Sequence, residues 1–412
     1  MLEKELEALG IRSESREHTW FEHRKIEFVS YAHEWVPEML LAAAEKTLYL
    51  VKRLNKYGWD LKDASASNLV FEGTKPVFID IASIVESSDE PYWWPKGQFE
   101  RNFILPLLAY MGRGISPDKI HHFSSDGLNP VQLSELLGLK KWTSFLAIKH
   151  CSVPVLLSRF VQVDAAKIVP DHTSKVAAIV KEWQFQSLEN SIARIQSDLP
   201  PPRSDWHAYA NGRIHYEAEA LLAKRNLVKV WLKQLAPVWV LDIGANTGEF
   251  AKIAAENGSS VLCFENDVDA ARHAYKLAAQ NNLKCQIILQ NVASPSPAMG
   301  WRQAEKKSTD QRISGKIDCI LALAILHHWL ISGGIPMLEI LSQLSNWTRS
   351  YLIIEYIPPT DKMFSFLSKH RRVSYESLNI EEFELSLSRY FRILDKSALS
   401  YEGRVLYKCE RV

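Results

Sequence analysis

The chain has 412 residues, of which 47% are hydrophobic and 24% charged, and its formal net charge is +1 with an isoelectric point of about 7.7. This composition supports a sizeable packed core in two or three domains and excludes a largely disordered chain. The near-zero charge argues against long nucleic acid as a partner, because nucleic-acid binding usually needs a basic face.

The amino terminus and the cysteines both indicate a cytoplasmic protein. The first residues, MLEKELE, are charged and amphipathic, so they do not predict a signal peptide. No apolar run reaches the roughly 18–20 residues of a membrane span. The five cysteines are scattered without C-x-x-C pairs, which favours a reducing compartment and predicts no metal site.

The first 200 residues combine helical patterns with one loop that carries chemically useful side chains. A helical pattern covers residues 35–55, and Asp63, Asn68 and Asp80 follow it. Their spacing resembles the catalytic loop and the metal-binding Asp of protein kinase-like phosphotransferases. In those enzymes the first Asp orients the hydroxyl, and the Asn and the second Asp hold magnesium. The alternative is that Asp63 and Asn68 only cap turns.

Other parts of a phosphotransferase are missing from this region. Neither a glycine-rich loop nor a clear strand lysine precedes the loop, and no glycine follows Asp80. We therefore expect a mainly helical domain over residues 1–200 that resembles a degenerate kinase lobe. An active phosphotransferase and an unrelated helical fold remain the alternatives.

A proline-dense stretch at residues 198–204 marks the expected domain boundary. Long helical patterns lie on both sides of it, over residues 173–199 and 214–235. The second domain should therefore cover residues 201–412. We expect the two domains to pack on each other through these long helices.

Residues 238–250, VWVLDIGANTGEF, predict a buried parallel strand, a glycine-rich turn and the start of a helix. Asp242 ends the apolar run, and Gly244, Asn246 and Gly248 follow. The pattern D-x-G-x-x-x-G differs from the dinucleotide pattern G-x-G-x-x-G and resembles motif I of the class I S-adenosylmethionine (SAM)-dependent methyltransferases. SAM has no phosphate, but it needs a close backbone approach and nearby oxygens.

Strand and helix patterns alternate after this motif. Apolar runs cover residues 261–265, 287–291, 317–325 and 351–355, and helical patterns cover 269–280 and 336–347. Two closing strands follow, at 391–394 and 404–409, and one of them should be antiparallel. The expected fold is α/β, a Rossmann-like class I methyltransferase domain with a mostly parallel seven-stranded sheet.

Two further polar residues extend the predicted cofactor site formed by Asp242, Gly244, Asn246 and Gly248. Glu265 ends the second strand, where a carboxylate can accept hydrogen bonds from both hydroxyls of a ribose. The methyltransferase resemblance places Asn291 where many enzymes accept a hydrogen bond from the adenine amino group. The alternatives are a helix-start acid at Glu265 and a turn residue at Asn291.

The candidate catalytic residues are His327, His328 and Glu355, which end the fourth and fifth strands. Sites in open α/β sheets lie at the carboxyl ends of the strands. A histidine there can accept a proton from a substrate hydroxyl or amine near neutral pH. The alternative is that alignment with a sulfonium, already a strong electrophile, is sufficient without a base.

Aromatic residues offer further candidates around the cofactor. Trp206, Tyr209 and Tyr216 precede the first strand, and their faces would attract a sulfonium by cation–π interaction. Trp301 is a candidate for shaping the substrate mouth. For all four residues, ordinary packing is the alternative.

Several segments together resemble a bacterial family of two-part SAM-dependent methyltransferases that includes a rhizobial host-specific nodulation protein. The segments cover residues 30–35, 61–68, 76–80, 241–248, 294–301 and 321–328. The resemblance implies SAM as cofactor and methyl transfer to an oxygen or nitrogen of a small molecule, a glycan or a natural-product intermediate. A bifunctional kinase–methyltransferase and a SAM-binding scaffold without catalysis are the rival interpretations.

Overall fold

The computed structural model of the chain describes residues 12–14, 20–22, 25–88, 90–160, 174–203, 215–369, 371, 375, 378–400 and 403–412. Among these residues, no helix combines the length and the apolar character needed to cross a membrane. All five cysteines lie buried as free thiols.

The first 200 residues are mainly helical, as predicted. The helices are α1 (Pro37–Asn55), α2 (Lys96–Phe99), α3 (Leu105–Arg113), α4 (Pro117–Phe123), α5 (Pro130–Leu137), α6 (Phe145–Ala147), α7 (Val153–Phe160) and α8 (Ser174–Asp198). Three antiparallel strand pairs accompany them: β1 (Arg12–Glu14) with β2 (Trp20–Glu22), β3 (Trp59–Leu61) with β6 (Ile84–Glu86), and β4 (Leu69–Glu72) with β5 (Lys75–Phe78).

The remaining residues form a seven-stranded sheet with helices on both faces. Its strands are β7 (Trp239–Ile243), β8 (Ser260–Glu265), β9 (Cys285–Leu289), β10 (Ile317–Ala322), β11 (Thr348–Tyr356), β12 (Phe391–Ala398) and β13 (Val405–Arg411). Its helices are α9 (His215–Leu235), α10 (Glu249–Glu256), α11 (Val268–Gln280), α12 (Thr309–Ile313), α13 (Met337–Trp347), α14 (Lys362–Ser368) and α15 (Ile380–Leu387).

The strand order of this sheet is β12-β13-β11-β10-β7-β8-β9. The pairs from β11 to β9 are parallel, whereas β13 is antiparallel to both β11 and β12. The order reverses beside β7, so the loops after β7 and β10 diverge and leave a crevice between them. This is the strand order of the class I methyltransferase fold, and the predicted fold class is confirmed.

The central strands are buried on both faces, which explains their continuous apolar runs. Successive residues point to opposite faces, so Val240 belongs to one core and Leu241 to the other. The core that contains Val240 also contains residues of the first 200, including Trp35 and Phe185. The amino-terminal region therefore shares the apolar core on this face of the sheet, while Phe28 belongs to the core on the other face.

The contacts between the two regions differ from the expected ones. Helix α1 packs on α11, and the 3-10 turn Ala32–Glu34 packs on β9. The long helix α8 packs on α1, and α9 packs on α10. The expectation that α8 and α9 form the main interface is therefore wrong, because their apolar sides are used within their own regions. A division into domains near residue 200 stays a prediction.

Candidate active site

The loop after β7 has the backbone conformation that its glycines predict. Gly244, Asn246 and Gly248 have φ values of +68°, +50° and +83°. The N–H of Gly244 donates to the carbonyl oxygen of Phe264 at 2.8 Å, which fastens the loop to β8. A Cβ atom on Gly244 would lie 3.0 Å from Cδ1 of Ile325. Glycine is thus required at position 244 both by backbone conformation and by space.

Asp242 lies at the bottom of this loop with a carboxylate that is only partly satisfied. The residue is 2% exposed, and its Oδ2 has no hydrogen-bond partner among the described residues. Burial, with Glu265 as a second cause, raises the pKa of Asp242 to about 7. A buried carboxylate oxygen without a partner is costly, so Oδ2 suits a cationic or hydrogen-bond-donating ligand.

The side chain of Glu265 connects the loop after β7 to the loop after β8. Its Oε2 accepts the N–H of Asn246 at 2.7 Å, and its Oε1 accepts the N–H groups of Asn266 and Asp267, both at 2.8 Å. Burial raises the pKa of Glu265, and the three N–H groups act in the opposite direction. A carboxylate has about four acceptor positions, so capacity remains for a hydroxyl donor.

A cleft of about 970 Å³ opens at the carboxyl edge of the sheet. It brings together most of the predicted site residues, namely Asp242, Gly244, Asn246, Glu265, Asn291, His327, His328 and Glu355. Gly248 does not line it. A Cβ atom on Gly248 would lie 3.2 Å from Cβ of Ala274, so this glycine lets α10 approach α11.

Asn291 lies at the exposed edge of the cleft. Its Oδ1 accepts the N–H of Ala293 at 3.0 Å, which forms a local turn. The turn-residue alternative is therefore present in the structure. The second lone pair of Oδ1 remains available, so an adenine contact at Asn291 stays a prediction.

The two histidines lie side by side at the end of β10, with ring centroids 4.2 Å apart. His327 is 3% exposed, and its Nδ1 has no hydrogen-bond partner among the described residues. Burial, followed by the charges of His328 and Arg404, lowers the pKa of His327 to about 3. Burial also lowers the pKa of His328. At neutral pH both rings are therefore uncharged and hold a proton weakly.

Glu355 is engaged in a buried ion network. Lys224 donates to its Oε2 at 2.5 Å, and Arg404 lies 3.4 Å from its Oε1. Burial acts to raise the pKa of Glu355, but Lys224 and Arg404 outweigh it and the pKa is lowered. Arg404 also bonds the buried Asp361. Glu355 is thus an ionised carboxylate that already accepts hydrogen bonds from Lys224 and Arg404.

Sequence reasoning missed Lys224, Arg404 and Asp361. Lys224 and Arg404 line the cleft, and Lys224 also lies over the ring of Phe250 at 5.1 Å from its centroid. Lys224 lies on α9, Arg404 lies in the loop before β13, and Asp361 lies directly before α14. Only the folded chain joins them, and none of them stands in a recognisable motif.

Of the predicted aromatic residues, only Trp301 has a described side chain. Trp206, Tyr209 and the side chain of Tyr216 lie outside the described residues. Trp301 is 79% exposed and does not line the cleft. The exposure of Trp301 argues against ordinary packing, and a role at the substrate mouth stays a prediction.

Asp63, Asn68 and Asp80 occupy a loop-and-hairpin arrangement in the amino-terminal region. Asp63 follows β3, Asn68 precedes β4, Asp80 follows β5, and the chain then returns along β3 as β6. The Nδ2 of Asn68 is buried without a hydrogen-bond partner among the described residues. Among all residues that the structure describes, no group of three or more His, Cys, Asp or Glu residues is arranged to hold a metal ion.

No protein-family model matches the chain. A curated relative is the nodulation protein NoeA of Rhizobium meliloti (strain 1021). It is 29% identical over 400 residues, which cover 95% of this chain and 81% of the relative. The predicted resemblance to a group that includes a rhizobial nodulation protein is confirmed by this relative.

Solved structures are less similar to the chain than this relative, and they cover only about half of it. Magnesium protoporphyrin IX methyltransferase (ChlM) from Synechocystis PCC 6803 with bound SAH has a TM-score of 0.35 and 16% identity, covering 49% of this chain and 89% of its own. N-methyltransferase NodS from Bradyrhizobium japonicum WM9 has a TM-score of 0.34 and 11% identity, covering 48% and 96%. The bifunctional kinase-methyltransferase WbdD has a TM-score of 0.33 and 16% identity, covering 47% and 39%. The fold assignment rests on the strand order of this chain itself.

Proposed function

We propose that the chain is a SAM-dependent methyltransferase that acts on an oxygen or nitrogen atom of a small molecule, a glycan or a natural-product intermediate. The observation that carries the proposal is the buried Oδ2 of Asp242, which has no partner among the described residues and lies below a glycine loop where the strand order reverses. An anionic acceptor at this position suits the α-ammonium group of a methionine moiety.

The residues of the cleft fit the parts of SAM in order. Asp242 would accept from the ammonium group, and Gly244 would let the ligand approach the backbone. Glu265 would accept from the ribose hydroxyls, and Asn291 would accept from the adenine amino group. When bound, SAM supplies a sulfonium-linked methyl group that a nucleophile attacks in line, leaving S-adenosylhomocysteine.

The residues on the methyl-acceptor side of the cleft suit orientation of the substrate nucleophile better than removal of its proton. The uncharged rings of His327 and His328 can direct a hydroxyl or amine by hydrogen bonding, but a pKa of about 3 makes His327 a weak proton acceptor. The ion pairs of Glu355 make it a positioning residue for Lys224 and Arg404. We therefore assign most of the catalytic effect to proximity and orientation, with the acceptor proton leaving to solvent.

Calorimetry on the full chain tests the cofactor assignment. SAM and S-adenosylhomocysteine should both bind, whereas NAD and NADP should bind far more weakly because the loop lacks the pyrophosphate spacing. Transfer of a labelled methyl group from SAM to components of a cell extract would then establish catalysis. Folded protein that gives no heat with SAM or S-adenosylhomocysteine, or that prefers a dinucleotide, would contradict the proposal.

The amino-terminal region has a second candidate function, phosphoryl transfer, which the arrangement of Asp63, Asn68 and Asp80 favours. We propose instead that the region has no useful phosphotransferase activity. Phosphoryl transfer depends on positioning and charge neutralisation, and the sequence before Asp63 offers no glycine-rich loop to hold phosphates. The proposed role of this region is structural support of the methyltransferase.

A further inference from the structure

Arg272, on α11, is a fully buried residue that joins both regions of the chain. Its Nε donates to both oxygens of Glu38 at 3.0 Å, and its Nη2 donates to the carbonyl oxygen of Pro200 at 2.6 Å. Its Nη1 donates to the hydroxyl of Tyr110 at 2.7 Å and to Oδ1 of Asp269 at 3.0 Å. One guanidinium thus connects α1, α3 and the inter-region segment to the first turn of α11.

The first turn of α11 is a wall of the proposed cofactor cleft. Asp267 and Asp269 line the cleft, and the N–H of Asp267 donates to Glu265. Glu265, Asp267 and Asp269 place three carboxylates within five residues, so the wall needs a compensating charge. Arg272 supplies that charge from behind the wall.

Tyr110 is the contribution of the amino-terminal region to this wall. Its hydroxyl accepts from Arg272 and donates to Oδ1 of Asp269 at 3.4 Å, and its ring lies 5.3 Å from the guanidinium carbon. Burial raises the pKa of Tyr110 to about 12, so the hydroxyl remains a donor at neutral pH. Asp269 is therefore held from two sides by groups that do not face the ligand.

We infer that Arg272 and Tyr110 are positioning residues for the cofactor, through which the amino-terminal region holds the adenosine-side wall of the cleft in place. The inference rests on the proposed function and deepens it. Without the Tyr110 hydroxyl, Asp269 loses a donor and Arg272 loses an acceptor, while the ring remains to fill its space. The turn that carries Asp267 and Glu265 is then less well held, and cofactor affinity falls.

The test compares the affinity of three full-length proteins for S-adenosylhomocysteine by calorimetry. Tyr110→Phe should raise the dissociation constant by roughly 3- to 10-fold, the effect of one hydrogen bond. Lys276→Ala is the matched control, because Lys276 also pairs with Glu38, at 3.1 Å, but is half exposed and does not contact Asp269. Its dissociation constant should stay within about twofold of the wild-type value.

A second readout separates positioning from general destabilisation. Tyr110→Phe should raise KM for SAM while kcat at saturating SAM is retained, because the affected contacts lie away from the transferred methyl group. The double variant Tyr110→Phe/Asp269→Asn should bind no more weakly than Asp269→Asn alone. If Tyr110→Phe does not fold, Glu38→Gln replaces it with the same expected direction.

The possible outcomes are distinct. Wild-type protein that binds S-adenosylhomocysteine, together with a Tyr110→Phe affinity within twofold of it, would overturn this inference alone. Additive losses in the double variant would also overturn it, since the effect would then bypass Asp269. Wild-type protein that binds neither SAM nor S-adenosylhomocysteine would refute the proposed function and this inference with it.

Discussion

Lys224 and Glu355 are separated by 131 residues in the sequence, yet the ammonium nitrogen lies 2.5 Å from the carboxylate oxygen. Both side chains are almost completely buried, and both residues line the cleft. A buried ion pair is strongly destabilising when one partner is removed, because the other charge is left without compensation. The pair therefore ties α9 to β11 at the acceptor side of the site.

Replacement of Lys224 should show the structural weight of this pair. Lys224→Met leaves Glu355 with Arg404 as its remaining cation and should lower the free energy of unfolding by about 3–5 kcal/mol. Urea denaturation measures the loss. Lys229→Met, at an exposed position of the same helix, is the control and should change stability by less than about 0.5 kcal/mol. Equal effects of the two substitutions would rule out a special role for Lys224.

Cofactor affinity should depend on pH through Asp242. Burial raises its pKa to about 7, and the α-ammonium group of the ligand requires the ionised carboxylate. S-adenosylhomocysteine should therefore bind roughly tenfold more tightly at pH 8 than at pH 6, since about a tenth of Asp242 is ionised at pH 6. Calorimetry at both pH values tests this. Asp242→Asn should bind weakly and without this pH dependence, and a wild-type affinity independent of pH would count against the assignment.

The same ionisation affects folding stability. Because the pKa of Asp242 is higher in the folded than in the unfolded chain, the folded protein binds more protons between about pH 4 and pH 7. The contribution of Asp242 to the free energy of unfolding is thus most favourable at the acid end of this range, and it declines as the pH rises to about 7. Glu355, whose pKa is lowered, acts in the opposite direction and loses its contribution in acid.

Gly244 should be indispensable for cofactor binding. Gly244→Val would place its side chain against Ile325 and in the cleft, so binding of SAM should be lost. Gly315→Val is a suitable control, because Gly315 has the same φ of +68° with no atom within 4 Å of its Cβ position. Both variants carry a comparable backbone strain, and only Gly244→Val should abolish the calorimetric signal. Retained SAM binding in Gly244→Val would refute the predicted role of the loop.

Replacement of His327 should reduce turnover only moderately. With a pKa of about 3, His327 is a poor general base, so His327→Ala should cost less than about tenfold, short of the 10²–10⁴-fold typical of general-base catalysis. The measurement is methyl transfer from labelled SAM to an acceptor from cell extract, with His328→Ala assayed in parallel. A larger loss with unchanged SAM affinity, and a pH–rate inflection that disappears in the variant, would establish His327 as the base.

The amino-terminal region should not behave as a kinase. ATP with magnesium should leave the melting temperature unchanged, although a tight ligand would raise it by mass action. Asp80→Ala should leave methyl transfer largely intact, whereas Asp242→Asn should impair it. ATP-dependent incorporation of phosphate into a substrate, abolished by Asp63→Ala, would instead support the bifunctional interpretation.

Local patterns predicted most of the fold and most of the candidate site residues that line the cleft. Each strand from β7 to β13 lies within a few residues of its predicted run, because apolar periodicity and burial act over short distances. The conformation of the loop at Gly244 followed from its glycines for the same reason. Once strands and helices alternate, a parallel sheet brings their carboxyl ends to one edge, which placed Glu265, Asn291 and His327 in one cleft.

The sequence by itself therefore determined the class of fold, the glycine loop and the positions of the candidate residues along the strands. Only the tertiary structure decided which charges meet, as in Lys224 with Glu355 and Arg272 with Glu38. It also decided that α1 packs on α11. The physical reason is that strand and helix preferences arise from neighbouring residues, whereas a buried ion pair depends on groups far apart in the chain and on the water that folding removes from around them.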